Sequence, residues 1–359
     1  MSVATPPAAP PPGRRQRLAR RVAAVGAMPL LQTARRLLRR DLRVYAWHRV
    51  RPLEDGFTFD PSLVSASPEG FREQVRHLRD RYRPLRCADL AEALAGGRPL
   101  PRDAVLLTFD DGYDDNFRFA FPILRELGVP ALFFVATGHI DSGEPFAYDW
   151  LVHLLLTATP SAARLPAPLD DLQVPPGRQA RLELAWQALD RIKALAATDQ
   201  EAWIDAVAGI GGATPARMHP DCRPMDWHML RSMRAGGMEI GSHGVSHRML
   251  AKLDDAALLG EIRGSRARLD EELGQDTLAI SYPVGGDDSF DARVLAAVED
   301  AGYGFAFTYN NGSNRWPPAR RHALLRQSVE ADMDAAWFAG IAALPELFAH
   351  PSVQRTYPA

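Results

Sequence analysis

Cysteine is nearly absent: the 359 residues include two, Cys87 and Cys222, far apart and outside any CxxC pair. That excludes a disulfide framework and a thiolate zinc cluster, and it fits a reducing compartment. Long apolar runs are also missing. Nothing approaches the roughly 18–20 consecutive apolar residues that span a bilayer, and the apolar stretch 22–31 is interrupted by Gly26 and Pro29. The beginning does not read as a secretory signal, because a Pro-rich stretch leads into an Arg-rich one instead of basic residues preceding an apolar core. A cytoplasmic location is therefore expected. Internal repeats are absent. Net charge is scarce as well, −2 overall, but it is unevenly spread: residues 1–50 carry eleven Arg and one Asp, a local +10 that leaves −12 on the remainder. We read residues 1–40 as a basic N-terminal tail with a short amphipathic helix, "LLQTARRLLRR", suited to peripheral contact with an anionic membrane face. Nucleic acid is not an expected partner, and the sequence leaves the oligomeric state open.

What is present is an alternation of short apolar runs and helical patterns. "LRVYAWH" (42–48), "AVLLTF" (104–109), "ALFFVAT" (131–137), "MEIGSH" (238–243), "TLAISYP" (277–283), "YGFAFTY" (303–309) and "LLRQSV" (324–329) read as strands, the second and third of them as buried ones. Between them lie helices with good signals. Ser67 stands as N-cap before Pro68 and Glu69, with Phe71, Val75 and Leu78 at helical spacing, and a long helix runs from about Asp254 to Leu273 with Gly274 beyond it. Such alternation predicts a mostly parallel sheet with crossover helices, and about seven units make closure into a barrel plausible. Residues 141–225 break the rhythm with Pro/Ala-rich sequence and a further long helix. We read them as an insertion within one barrel spanning 41–359.

Polar residues cluster where these strands end. Asp110 and Asp111 follow one strand, His243 and His247 lie in and after another, "SYPVGG" (281–286) ends a third, and His48 a fourth. C-terminal strand ends are where active sites assemble in parallel α/β folds. A His-x-x-x-His pair is weak by itself, but with a carboxylate it makes a three-ligand set that leaves room for water at a metal. Adjacent strand residues point to opposite faces, so Asp110 and Asp111 can share one site only if the chain turns there. Asp114, Asp115 and Asn116 read as helix caps and loop polars.

In this order and on these strands, "TFDDG" (108–112), "HGVSH" (243–247) and "SYPVG" (281–285) resemble the polysaccharide deacetylases of the NodB-homology type, a carbohydrate esterase family 4-like group. The resemblance runs from about residue 42 to 330, most of the 141–225 segment excepted. It implies a distorted (β/α)7–8 barrel and metal-dependent removal of acetyl groups from a carbohydrate, whether polysaccharide, oligosaccharide or lipid-linked precursor. It further implies that Asp110 is the general base toward water, that Asp111, His243 and His247 hold one divalent ion, and that a backbone N–H near Val284 meets the oxyanion beside Tyr282 and Pro283. Zinc is the default for such ligands, with iron, cobalt or manganese able to replace it.

Two departures stand out. Many members have an arginine that orients the base where this chain has Ser281; Arg326, on a later strand, is the expected substitute. The late-strand histidine that acts as general acid in many members is also missing, since His322 sits in a loop. "YAWHRV" instead looks like the N-terminal strand motif of circularly permuted relatives, which nominates His48 as general acid or substrate contact. The alternatives are an amidase for a non-sugar acyl amide and a catalytically silent sugar-binding barrel.

Overall fold

The computed structural model describes residues 13–349 apart from 55, 159–164, 168, 172 and 211–218; the Pro-rich start and part of the Pro/Ala-rich stretch lie outside the described residues. Seven parallel strands form the centre: β1 (Asp41–Trp47), β2 (Ala104–Phe109), β3 (Leu132–Val135), β4 (Glu239–Ser242), β5 (Ala279–Ser281), β6 (Phe305–Asn311) and β7 (Leu324–Ser328). Their spatial order is β1–β7–β6–β5–β4–β3–β2, and β2 pairs back onto β1 from Arg43↔Val105 to Trp47↔Phe109, closing the ring. The β6–β7 pairing slips in register between Leu324 and Arg326, so the ring is irregular. This is the distorted barrel expected from the sequence.

Strand parity decides what faces inward. Leu42, Val44, Leu106, Phe134, Ala279, Phe305, Phe307 and Leu324 pack into one cluster, while the alternate residues Tyr45, Trp47, Val105, Leu107, Phe109 and Phe133 pack into another with the helices. Period-two alternation on strands buried on both faces produces these two cores.

The helices are α1 (Arg14–Ala24), α2 (Met28–Leu38), α3 (Pro68–Arg81), α4 (Cys87–Leu94), α5 (Phe121–Leu127), α6 (Thr137–Ser142), α7 (Ala147–Thr157), α8 (Arg178–Lys193), α9 (Ala197–Ile210), α10 (Trp227–Ala235), α11 (Asp255–Leu273), α12 (Ala292–Asp300), α13 (Ala335–Ala343) and α14 (Pro345–Phe348). Helix α3 starts as expected, Ser67 accepting from the Gly70 N–H at 3.1 Å, and α11 is capped by Asp254 and ends on a left-handed Gly274. Helix α5 is preceded by a wider π turn over Asn116–Ala120 that absorbs Pro122 at the start of the regular helix. Helices α7, α8 and α9, all from the 141–225 segment, share a core of their own that includes Trp150, Leu151, Leu155, Ala188, Ile192 and Ile204. None of the described helices is long and apolar enough to cross a membrane.

Candidate active site

The polar strand ends meet at one rim of the barrel. Asp110 continues the inward series Ala104, Leu106, Thr108 of β2, and Arg326 continues Leu324 on β7. Their side chains therefore meet inside the ring. Arg326 donates from Nη1 to Asp110 Oδ1 at 2.7 Å and from Nη2 to Oδ2 at 2.6 Å. The fork is itself fixed: Nε donates to the Thr308 carbonyl at 2.6 Å, and Nη2 reaches Ser281 Oγ at 2.9 Å. Both charges are buried. Burial, the largest single influence, pushes the Asp110 carboxyl up, but the guanidinium together with His243 and His48 holds it below the ordinary range.

Asp111 would point to the other face if the strand ran on. It does not, because Asp111 adopts φ +74°, followed by Gly112 at +77°. A Cβ on Gly112 would come 2.9 Å from Val135 Cγ1, so both conformation and space call for glycine here. Three described residues other than glycine have positive φ: Asp111, His247 and Val284. All three line the same cavity of about 220 Å³. Backbone conformations of this kind cost energy and persist only where the surroundings impose them, as at ligand-binding turns.

Asp111 Oδ1 lies 3.4 Å from His243 Nε2 and 3.2 Å from His247 Nε2. His243 Nδ1 is 2.8 Å from the Ser281 carbonyl, which accepts its proton and leaves Nε2 as a lone pair toward Asp111. Asp111 Oδ1 is buried without a hydrogen-bond donor. The three ligand atoms lie within 4.8 Å of one another. Converging lone pairs and a carboxylate are mutually repulsive until a cation or a proton sits between them, so the donor set fits a divalent metal ion. Burial pushes the Asp111 carboxyl up, but where the neighbouring imidazoles carry a proton on Nε2 their hydrogen bonds bring it well below the ordinary carboxylate range.

The loop carrying His247 is pinned from below. Glu261 of α11, itself buried, accepts from the Val245 and Ser246 N–H groups at 2.7 and 2.9 Å, and also from the Ser246 hydroxyl. Gly138 N–H donates to the Val245 carbonyl at 2.8 Å.

The remaining residues nominated by the sequence divide. His48 lines the cavity, half-buried, with Nδ1 3.3 Å from the Tyr309 hydroxyl. Val284 lines it too. Tyr282 and Pro283 do not. Tyr282 follows the outward parity of Ile280, stacks on Phe290 and donates to the His322 carbonyl at 2.8 Å. Asp115 is not a helix cap: its carboxylate pairs with buried Arg49 at 2.7 Å. Trp47 and Trp150 are core residues, and no tryptophan lines the cavity.

The sequence reading missed several cavity residues. Tyr309 and Tyr113 come from strand or loop ends, and Phe146, Tyr148, Asp149, Leu189 and Lys193 come from the 141–225 segment. Asp149 accepts from the Tyr113 hydroxyl at 2.7 Å and lies 3.3 Å from Cys222 Sγ. Burial pushes its carboxyl up to about 6. The one sequence signal for this wall was its position as an insertion at a barrel rim.

Several known proteins are similar to this chain. The poly-β-1,6-N-acetyl-D-glucosamine N-deacetylase of Escherichia coli K12 is 39% identical over 98 residues, 27% of this chain and 14% of that protein. The putative polysaccharide deacetylase YxkH of Bacillus subtilis is 21% identical over 244 residues, 68% of this chain and 58% of that protein. The aligned part of the chain thus spans a small fraction of the first relative and just over half of the second. Among solved structures, Streptococcus pyogenes deacetylase PplD in complex with acetate superposes with a TM-score of 0.55 at 19% identity, covering 82% of this chain and 94% of that one. IcaB from Ammonifex degensii gives 0.52 at 19%, covering 84% and 96%. At such identity these two establish a common fold. Residues 97–306, more than half of the sequence and reaching from the strand before the paired aspartates past "SYPVG", match the polysaccharide deacetylase family, and the chain belongs to it.

Proposed function

We propose that this protein is a metal-dependent hydrolase that removes N-acetyl groups from a carbohydrate. The observation that carries the reading is the convergence, in one cavity, of the Asp111–His243–His247 face with Asp110 held by a buried arginine. A divalent ion on that face would supply Lewis acidity to a water molecule and to the acetyl carbonyl. Zinc is the first choice; iron, cobalt and manganese suit the same donors.

The chain's own groups do the rest. Asp110 takes the proton of the attacking water. Both its oxygens bind Arg326 and Oδ2 also accepts from the Ser281 hydroxyl at 3.4 Å, so Oδ1 is the oxygen that keeps a second lone pair for that proton. The Val284 amide, in its left-handed turn at the cavity wall, donates to the oxyanion as the carbonyl becomes tetrahedral. His48, hydrogen-bonded to Tyr309, protonates the departing amine. Water and amide are consumed, and acetate and a free amine leave. Asp110→Asn should abolish acetate release from N-acetylated oligosaccharides while bound metal is retained; full activity in that variant would remove Asp110 from the role of base.

Surface features support the placement at a membrane. Half of the exposed large apolar residues among those described, Leu18, Val25, Leu30, Leu37 and Leu38, lie on or between α1 and α2, among exposed Arg14, Arg21 and Arg40. Apolar side chains interleaved with arginine suit an anionic bilayer surface. The unpaired, buried Cys87 and Cys222 support a reducing compartment, and so its cytoplasmic face. Flotation with anionic but not zwitterionic vesicles, lost in Leu30→Ser/Leu37→Ser, is the expected result; equal flotation of both forms would overturn it.

A further inference from the structure

The cavity has two unlike walls. One carries the reacting groups. The other comes from the 141–225 segment and presents Tyr148 and Val152 of α7 with Leu189 and Lys193 of α8. This second wall is well supported: Leu151, Leu154, Leu155, Ala185, Ala188 and Ile192 fill the space behind it. Its position relative to the reacting groups is set by packing, which is what a substrate-selecting wall requires.

Lys193 is the unusual member. Among the described residues its ammonium faces the Tyr148 ring, Nζ 5.5 Å from the centroid, and no carboxylate lies within ion-pairing distance. The acids of the cavity are already engaged. Asp110 is bound by Arg326, and Asp111 belongs to the ligand face. Asp60 accepts from the Ser62 N–H at 2.9 Å and from Trp186 Nε1 at 3.2 Å. Asp149 is held by Tyr113 and Cys222. A half-buried cation with no carboxylate within ion-pairing distance, beside an aromatic and two aliphatic side chains, is an arrangement that a ligand with an anionic group would complete. The apolar residues would pack on the face of a sugar ring while the ammonium meets its charged substituent.

We propose that Lys193 and Tyr148 form a subsite for an anionic substituent, a phosphate or a carboxylate, carried by the acetamido sugar that this cavity accepts. The inference rests on the deacetylase reading above and narrows its substrate class to acidic or phosphorylated acetamido sugars.

The test compares three probes on the metal-loaded full-length protein: N-acetylglucosamine, its 1-phosphate, and the N-acetylated glucosaminuronate. Acetate release should favour one or both acidic sugars over the neutral one by about tenfold or more in kcat/KM, as a charge-assisted bond at a partly desolvated site implies. The preference should appear in KM and shrink with added salt. Which acidic sugar is preferred separates phosphate from carboxylate. Lys193→Met should lower kcat/KM for the acidic sugar about tenfold more than for the neutral one, and Lys193→Arg should restore most of the difference. Equal losses on all three sugars, or a wild-type protein indifferent to charge, would overturn the subsite and leave Lys193 as a cation at the end of α8. Calorimetric binding of the same sugars to metal-loaded Asp110→Asn reads the subsite without catalysis. Anion preference there, with no acetate released by wild type, would refute the deacetylase reading while keeping the subsite.

Discussion

Removing the guanidinium of Arg326 tests how the base is held. Arg326→Met deletes two charge-assisted bonds to Asp110, of 2.7 and 2.6 Å, and leaves that carboxylate buried without its cation. Taking one partner from a buried ion pair costs about 3–5 kcal/mol, so the melting temperature should fall by on the order of 10 °C. Activity should fall further than stability implies. With its alignment gone and burial now opposing ionisation, Asp110 should lose most of its value as a general base, on the order of 10²–10⁴ in kcat. Bound metal should persist, because Arg326 touches none of the three ligand residues. Arg326→Lys should recover little, since an ammonium cannot span both carboxylate oxygens. Arg326→Met/Asp110→Asn should regain much of the lost stability while staying inactive. Thermal melts, elemental analysis and acetate release on the same preparations separate these effects. A Met variant with wild-type kcat, or one whose instability survives in the double variant, would refute the assignment of Arg326 as the group that positions the base.

Glu261→Ala should loosen the His247 loop and weaken metal binding by about 10–100-fold, measured by competition with a chromogenic chelator; Glu261→Gln, which keeps an acceptor for the Val245 and Ser246 amides, should recover most of it. Wild-type affinity in the Ala variant would confine Glu261 to a structural role. Asp149 gives a prediction about pH. Its folded carboxyl, raised to about 6 from 3.8, is surrounded by Tyr113, Cys222, Arg49 and Asp111. The stability it contributes is present below pH 4 and declines as pH rises toward 6, by about 3 kcal/mol at most at roughly 1.4 kcal/mol per unit. Asp149→Asn should lack that decline, so denaturation curves of the two proteins should converge or cross between pH 4 and 6; parallel curves would contradict it.

Much of the site could be read from strand parity and turn chemistry. The inward series 104, 106, 108 leads to Asp110, and the same counting along β7 from Leu324 leads to Arg326. Two positions far apart in sequence thus serve one carboxylate, and Ser281 Oγ lies 2.9 Å from the same guanidinium. The same counting corrects Tyr282, which falls on the outward side of β5 with Ile280 and belongs to the core around Phe290. What parity does not reach is contact between segments with no shared periodicity. Tyr148, Asp149 and Lys193 meet the cavity because α7 and α8 fold onto each other through apolar residues that look like those of any amphipathic pair. Helix α13 escaped for another reason: "AAWFAGIAA" is apolar all round, so it carries no helical period, although Asp334 caps it with a bond to the Trp337 N–H at 2.8 Å. Asp115 looked like a cap because its true partner, Arg49, lies 66 residues away.

The proposed function depends on a catalytic metal held by Asp111, His243 and His247 beside Asp110. Elemental analysis of wild type and a folded His247→Ala variant, after identical reconstitution, tests it most directly. One ion per chain is expected in wild type and its loss in the variant, with circular dichroism unchanged. No ion in wild type, or the same ion content in both proteins, would contradict it.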